Sequence, residues 1–460
     1  MSARRFDAII VGAGQAGPSL AGRLHDVGMS VAIVERHLVG GTCVNTGCKP
    51  TKTLVASAYA AHLARRAADY GVTIDGTIGI DMPAVTRRVQ KVAIDSRHGN
   101  EQWLAGMTNV TLIREHARFV SPGTLRAGEE EITAPRIFLN VGGRASIPDF
   151  PGVDEIDYLT NSSILHLQDV PEHLIVVGGS YIGLEFAQSY ARLGAKVTVI
   201  EKGPRIVARE DEDVSAVILD ILGKEGIAFR LNAECIRFAK RGQGIAAGVN
   251  CTNGEPEVVG SHVLIAVGRR PNTDDLGLDA AGIETDERGY IRVSDRLETN
   301  VPGIWAMGDC NGRGAFTHTA YNDFEIVAEN LLDGADRKAT DRIPCYGLFV
   351  DPPLGRCGMG EAEAIAKGHT IKVGKRAMTR VGRAVEKGEA LGFMKIVVDA
   401  DTDKILGGAI LGPGGDEAIH SILDMMALGQ TADRLRRTVH IHPTVAELIP
   451  TIAGELKAKD

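Results

Sequence analysis

The sequence predicts an α/β chain in which one strand, glycine turn, helix and strand unit occurs twice, ahead of a separate α+β region. Three observations carry that expectation. A glycine-rich turn follows an apolar run at Gly12-Ala13-Gly14-Gln15-Ala16-Gly17, and again at Gly178-Gly179-Ser180-Tyr181-Ile182-Gly183. Each turn opens a helical pattern and then a second apolar strand ending on an acid, Glu35 and Glu201. From about Ile343 onward, strand-like runs (Phe393 to Val398, Ile405 to Leu411) and a helix from Glu417 to Leu428 read as a domain of their own.

With 460 residues the chain is long enough for several cores. Its 44% apolar, 24% charged and 5% aromatic content is that of a folded protein. A formal charge of −8 gives no reason to expect nucleic acid or an anionic membrane as partner. No apolar run approaches the roughly 18 residues of a membrane span. Two arginines precede Ala8 to Val11, but that run is too short for a secretion signal. Of seven cysteines, Cys235, Cys251, Cys310, Cys345 and Cys357 are scattered and read as packed thiols. This usage suits a reducing compartment, and a cytoplasmic location is expected.

In chain order, Phe6 to Val11 reads as a buried parallel strand that runs into the first glycine turn, with a helix to about Val27. Gly12 makes the turn, Gly14 lets a pyrophosphate approach the backbone, and Gly17 lets helix and strand pack. Glu35, closing the strand Val31 to Val34, can accept from ribose hydroxyls. A helix-rich stretch follows (Ala56 to Ala68, Val85 to Leu104), and Arg136 to Val141 is another strand ending in Gly142-Gly143. The second unit repeats the plan with Leu174 to Val177, a helix through Leu193, Lys196 to Ile200 and a closing strand Val263 to Val267 before Gly268. Ser180 replaces the middle glycine. Two such sites suit two nucleotides that exchange electrons, one resident and one visiting. Glu201 favours a free 2′-hydroxyl, hence NADH, while Lys202 and Arg205 keep NADPH open.

Between the units, Gly40 to Lys52 carries Cys43 and Cys48. That spacing can place both sulfurs on successive turns of one helix, within reach of a reducible bridge. So short a loop removes little unfolded-state entropy, which makes the pair a redox couple rather than a staple. Two buried small hydrophobes, or half of a metal site, are the alternatives. No second cysteine pair or paired histidine follows nearby, so no metal-ligand set is assigned.

The run GGTCVNTGCKPTK (Gly40 to Lys52), together with Thr299 to Asp309 and His442-Pro443-Thr444-Val445-Ala446-Glu447, resembles the flavin-dependent pyridine nucleotide–disulfide oxidoreductases, across essentially the whole chain. That family includes dihydrolipoamide dehydrogenase, glutathione reductase and mercuric reductase. The resemblance implies two Rossmann-like dinucleotide-binding domains and a C-terminal α+β dimerisation domain. The expected boundaries are 1–150 and 271–340 for the FAD-binding part, 151–270 for NAD(P) and 341–460 for dimerisation. FAD would be held by Gly12, Gly14, Gly17, Glu35, Gly41, Thr42, Lys52, Ala117, Gly142, Asp309 and Thr317. NAD(P)H would be held by Gly178, Tyr181, Gly183, Glu201 and Gly268.

In that resemblance Cys48 lies against the flavin as a thiolate and Cys43 attacks substrate. Lys52 reaches the flavin and is held by Glu185, Tyr181 covers the nicotinamide pocket, and Asp309 meets the ribityl chain. A thiolate needs a cation or helix N-terminus to lower its pKa, and Cys43 needs a base. His442 with Glu447 behind it supplies one, following triad logic. His440 is expected to be a bystander, and His98, His116, His318 and His420 to be structural. The implied partners are a small disulfide or dithiol substrate and a second copy of the chain, with active sites shared across the homodimer. Mercuric ion reduction is the alternative, favoured by the stretch Arg97 to Phe119, although no vicinal cysteines occur in Ala453 to Asp460. A flavoprotein component of a larger complex is a further one.

Overall fold

Five parallel strands form the first sheet, in the order Ile304–Ala306, Ile137–Leu139, Ala8–Val11, Val31–Val34, Val110–Ile113. The computed structural model describes residues 3–233, 236–249 and 256–459, so Cys235 and Cys251 lie outside the described residues. Ala8–Val11 and Val31–Val34 are buried throughout, as β-branched runs in a covered parallel sheet should be. On one face the helices Ala16–Asp26 and Thr317–Leu332 place Leu20, Leu24, Phe324 and Val327 on Ile10, Ile33 and Phe138. The edge strand Ile304–Ala306 returns to this sheet only after the whole second unit has been made.

The second sheet is also parallel, in the order Ala228–Arg230, Lys196–Ile200, His173–Val177, His262–Ile265. The segments after Gly142 and after Gly268, read from sequence as the ends of their units, instead pair with each other. Gly143–Ala145 and Arg269–Pro271 make an antiparallel link between the two units. The third sheet is antiparallel, in the order Cys345–Leu348, Leu354–Gly358, Ile405–Leu411, Phe393–Asp399, Ile371–Ala377, Lys457–Ala458. The single helix expected over Glu417 to Leu428 is two, Gly415–Ala418 and His420–Ala427. They meet at Ile419, whose Cβ seats so close to Gly355 that a Cβ there would lie 2.8 Å away.

A buried charge cluster docks the second unit on this third sheet. Lys395 is fully buried in the strand Phe393–Asp399. Its Nζ lies 2.8 Å from Asp211 Oδ2, 2.8 Å from Asp213 Oδ1 and 2.6 Å from Glu361 Oε1. Among the described residues these three carboxylates are the one acidic group that could hold a metal ion, and the ammonium of Lys395 fills it.

Candidate active site

The first glycine turn is a cradle built against the strand end at Asn140. Gly12 has φ 102°, and a Cβ there would lie 2.3 Å from the Asn140 carbonyl oxygen. A Cβ on Gly14 would lie 2.9 Å from Asn140 Oδ1. Asn140 itself accepts from Gly17 N at 3.1 Å and donates to the Met307 carbonyl at 3.1 Å, tying the turn to the late segment that carries Asp309. Sequence reasoning passed over Asn140; its only signal was an amide at a strand end beside Val141-Gly142. Glu35 accepts from Ala13 N at 2.9 Å and His37 N at 2.8 Å. In the second unit Glu201 accepts from Gly179 N and Gly203 N, both at 2.7 Å. The two units thus repeat even this detail, and Gly178 repeats the left-handed turn at φ 113°. Bare backbone where a Cβ would collide, an acid at the strand end and open space beside Gly142 fit a bound dinucleotide.

Gly41 (φ 58°) brings the cysteine segment onto this cradle, since a Cβ there would lie 3.0 Å from Gly14 Cα. Gln15 Nε2 donates to the Gly40 carbonyl at 3.1 Å from the other side. Contrary to the expectation from their spacing, the two sulfurs do not share one helix. Cys43 and Thr42 lie in the short helix Gly41–Asn45, and Cys48 opens the long helix Cys48–Arg65. Thr46 and Gly47 break the chain between them, and Gly47 turns so tightly that a Cβ would lie 2.8 Å from the Thr42 carbonyl. The break sets Cys48 at a helix N-terminus, where the dipole favours an anion.

Both cysteines are free thiols with sharply divided acidities. The hydrogen bond from Cys43, then the Thr317 hydroxyl and the charge of Lys52, outweigh burial and lower Cys48 to about 6. The same bond from the other end, and burial, push Cys43 well above the usual thiol range. Cys48 Sγ lies 3.1 Å from Thr317 Oγ1. Lys52 Nζ lies 2.8 Å from Glu185 Oε2 and 4.4 Å from the centre of the Phe349 ring, while Phe349 N donates to the other oxygen of Glu185 at 3.0 Å. Thiolate absorbance of the reduced enzyme, less that of Cys48→Ser, is expected to be half-developed near pH 6. Lys52→Met should move that midpoint upward by removing the cation. A midpoint at the ordinary thiol value in the parent protein would contradict this geometry.

Tyr181 is fixed by a buried carboxylate. Its hydroxyl donates to Glu210 Oε1 at 3.0 Å, and the Tyr346 hydroxyl donates to the same oxygen at 2.7 Å. Glu210 is 2% exposed and faces Arg356 Nε at 3.5 Å. Nothing local in sequence marked Glu210, Tyr346 or Arg356, because they converge from separate segments. Gly183 lies in the helix Tyr181–Leu193, and Gly268 (φ 141°) stands in open space. Asp309 lies 3.4 Å from Arg269 Nε; burial raises its carboxyl pKa against the pull of that guanidinium. Ala117 is buried at the start of a strand in a side sheet.

His442 and Glu447 form the second cluster, with Nδ1 2.7 Å from Oε2. The imidazole is 81% exposed and the carboxylate behind it 14%, so the pair presents Nε2 outward. His440 turns back to the Ala446 carbonyl at 2.7 Å. Among the described residues no hydrogen bond or ion pair joins this dyad to the cysteines. Val439 and Ile441 beside it are 96% and 79% exposed.

Residues 6–323 match the family model described as pyridine nucleotide-disulphide oxidoreductase, and residues 345–453 match its dimerisation domain. The chain is 34% identical to the probable pyridine nucleotide-disulfide oxidoreductase RclA of Escherichia coli, over 98% of this chain and 100% of that one. It is 32% identical to a mercuric reductase of Streptomyces lividans, covering 97% and 95% of the two chains. It is equally 32% identical to a dihydrolipoyl dehydrogenase of Thermus scotoductus, covering 96% of each. The Cu(II) complex of the HOCl-induced flavoprotein disulfide reductase RclA superimposes with a TM-score of 0.90 at 32% identity, covering 99% of this chain and 100% of that chain. The dimerisation domain supports a homodimer. No described helix is long and apolar enough to cross a membrane. Fold, repeat and relatives agree: this chain belongs to the class I pyridine nucleotide–disulfide oxidoreductases, FAD-dependent enzymes that use NAD(P)H in disulfide reduction.

Proposed function

We propose that the enzyme reduces a small disulfide with NADH by way of Cys43 and Cys48, with His442 lent by a second copy of the chain. The observation that carries this reading is the placement of Cys48 at a helix N-terminus, its Sγ 3.1 Å from Thr317 Oγ1, with Cys43 on the short helix before it; the lowering of the Cys48 pKa agrees with that placement. FAD, when bound, supplies the two-electron relay between nicotinamide and the cysteine pair; Gly12, Gly14, Gly17, Glu35, Gly41, Thr42, Ala117, Gly142, Asp309 and Thr317 would hold it, with Lys52 alongside. Gly178, Tyr181, Gly183, Glu201 and Gly268 would seat the nicotinamide nucleotide.

The exchange itself needs only this chain's groups and the substrate. Cys43 gives its proton to His442 and attacks one substrate sulfur, forming a mixed disulfide as the substrate S–S bond breaks. The departing thiolate takes that proton from the His442 imidazolium, which Glu447 stabilises. Cys48 then attacks the Cys43 sulfur, closing Cys43–Cys48 and releasing the second thiolate. The pair loses two electrons and the substrate gains them. The exposed imidazole, the partly shielded carboxylate behind it and the bare Val439 and Ile441 beside it support delivery to another copy. His442→Ala is expected to lower disulfide turnover about 100-fold, while NADH oxidation by an artificial acceptor such as ferricyanide stays near the parent rate. Unchanged disulfide turnover would remove His442 from the route.

NADH preference rests on Glu201, and on Arg205 being engaged with Glu212 and the Ala208 carbonyl instead of free for a 2′-phosphate. Repulsion between like charges a few ångströms apart in water is about 1 kcal/mol. Glu201→Ala is therefore expected to lower the NADH-to-NADPH ratio of kcat/KM about fivefold, and an unmoved ratio would refute the assignment. Free thiols at all five described cysteines suit a reducing compartment, which supports a cytoplasmic location. Soft-metal reduction rests on the same two sulfurs, but a proton-handling dyad serves thiol exchange, where the attacking thiol must lose a proton and the first leaving thiolate must gain one.

A further inference from the structure

Cys345 and Cys357, read from sequence as unrelated packed thiols, face each other across two antiparallel strands. Cys345 opens the strand Cys345–Leu348, Cys357 lies in Leu354–Gly358, and the register pairs one directly with the other. Gly358 N donates to the Pro344 carbonyl at 2.8 Å, so the flanking pair is the hydrogen-bonded one. That places the two cysteines at a non-hydrogen-bonded position, where opposing side chains share a face and Cα atoms approach to about 4.5 Å. A disulfide spans Cα separations of about 4.4–6.8 Å.

The surroundings give the two sulfurs different access. Cys357 is fully buried, with Sγ 3.7 Å from Met426 Sδ. Cys345 is half-buried and lines a cavity of about 290 Å³ together with His318, Arg337, Lys338 and Arg342. Burial pushes both thiols up, Cys357 to about 12, while Arg342 pulls Cys345 back. A small molecule can therefore meet Cys345 from the cavity, with Cys357 directly behind it.

We infer that Cys345 and Cys357 are a second oxidisable dithiol, which a low-molecular-weight disulfide converts to a cross-strand disulfide. Cys345 attacks the disulfide RSSR, forming Cys345–S–SR as one RSH leaves with the Cys345 proton. Cys357 then attacks the Cys345 sulfur; the second RSH leaves with the Cys357 proton, and the Cys345–Cys357 bond is made. Two thiols are oxidised and one disulfide is reduced to two thiols. The bridge closes the hairpin that its two strands already form. Its effect is local: it ties down the edge strand that carries Tyr346, the residue sharing Glu210 with Tyr181.

The test is peptide mapping of the full-length holoenzyme, treated with excess hydroxyethyl disulfide in the absence of nicotinamide. Free thiols are blocked with N-ethylmaleimide in denaturant before trypsin. The expected product is peptide 343–356 joined to peptide 357–367 through their cysteines, in parent protein and not in Cys357→Ala. Complete maleimide labelling of both cysteines, or Cys345 found only as the mixed disulfide, would overturn the inference. The Cys43–Cys48 peptides in the same digest are read separately, so failure of the catalytic pair to bridge would count against the proposed function alone.

Discussion

Serine in place of Cys43 is expected to cut disulfide turnover by about 10,000-fold or more, the scale seen when a covalent nucleophile is removed. An oxygen nucleophile neither forms a mixed disulfide nor leaves when Cys48 attacks. NADH oxidation by ferricyanide should survive, because it requires no exchange at Cys43. The variant should also show what Cys43 does for its neighbour. The hydrogen bond from Cys43 is the largest influence holding Cys48 low, and a serine hydroxyl preserves a donor at that point. Cys43→Ser should therefore keep a thiolate at neutral pH, whereas Cys43→Ala should raise its titration midpoint. Retention of more than a tenth of the disulfide turnover in Cys43→Ser would take the pair out of the electron path.

Lys395→Met is expected to destabilise the protein by about 3–5 kcal/mol, the usual cost of stripping the partner from buried charges. Methionine matches the length of the aliphatic stem, so the loss falls on Asp211, Asp213 and Glu361. Burial alone would lower the Lys395 pKa, but its three carboxylates outweigh that and raise it. Burial likewise opposes ionised Asp213, yet hydrogen bonds from Lys375 and Lys395 hold it below the usual carboxylate value. The signs define a window. The contribution of Lys395 is present below its unfolded pKa, near 10.4, and is lost as pH rises through the raised folded value. That of Asp213 is present above about 3.9 and is lost as pH falls through the depressed one. The cluster is thus whole across neutral pH. The variant should show a lower thermal midpoint and faster amide exchange in residues 207–213. Parent-like exchange and midpoint would mean that the three carboxylates do not depend on the ammonium.

The parts of the site legible in sequence are those whose chemistry demands contiguous residues. A pyrophosphate cradle needs glycines at fixed offsets, and Gly12, Gly14, Gly17 and their counterparts were readable for that reason. The two cysteines were readable as a couple, but their geometry was not. The spacing suits a single helix equally well, and only the backbone at Thr46 and Gly47 decides otherwise. Asn140, Glu210 and Tyr346 escaped because each acts on a residue far away in the chain. Lys395 left a faint trace, a lone charge within the apolar run Phe393 to Val398, which periodicity alone assigns to a surface. Cys345 and Cys357 were invisible as a pair because a strand register is a property of two segments.

The late return of Ile304–Ala306 bears on how the protein is made. Until ribosomes deliver that strand, Ile137–Leu139 has an open flank, and the Asn140 side chain lacks the Met307 carbonyl it will later bind. Synthesis of the entire second unit intervenes. The strand neighbour of Ile137–Leu139 and the second partner of Asn140 are consequently supplied only after the second unit, in an order set by the chain and not by the first glycine turn to emerge.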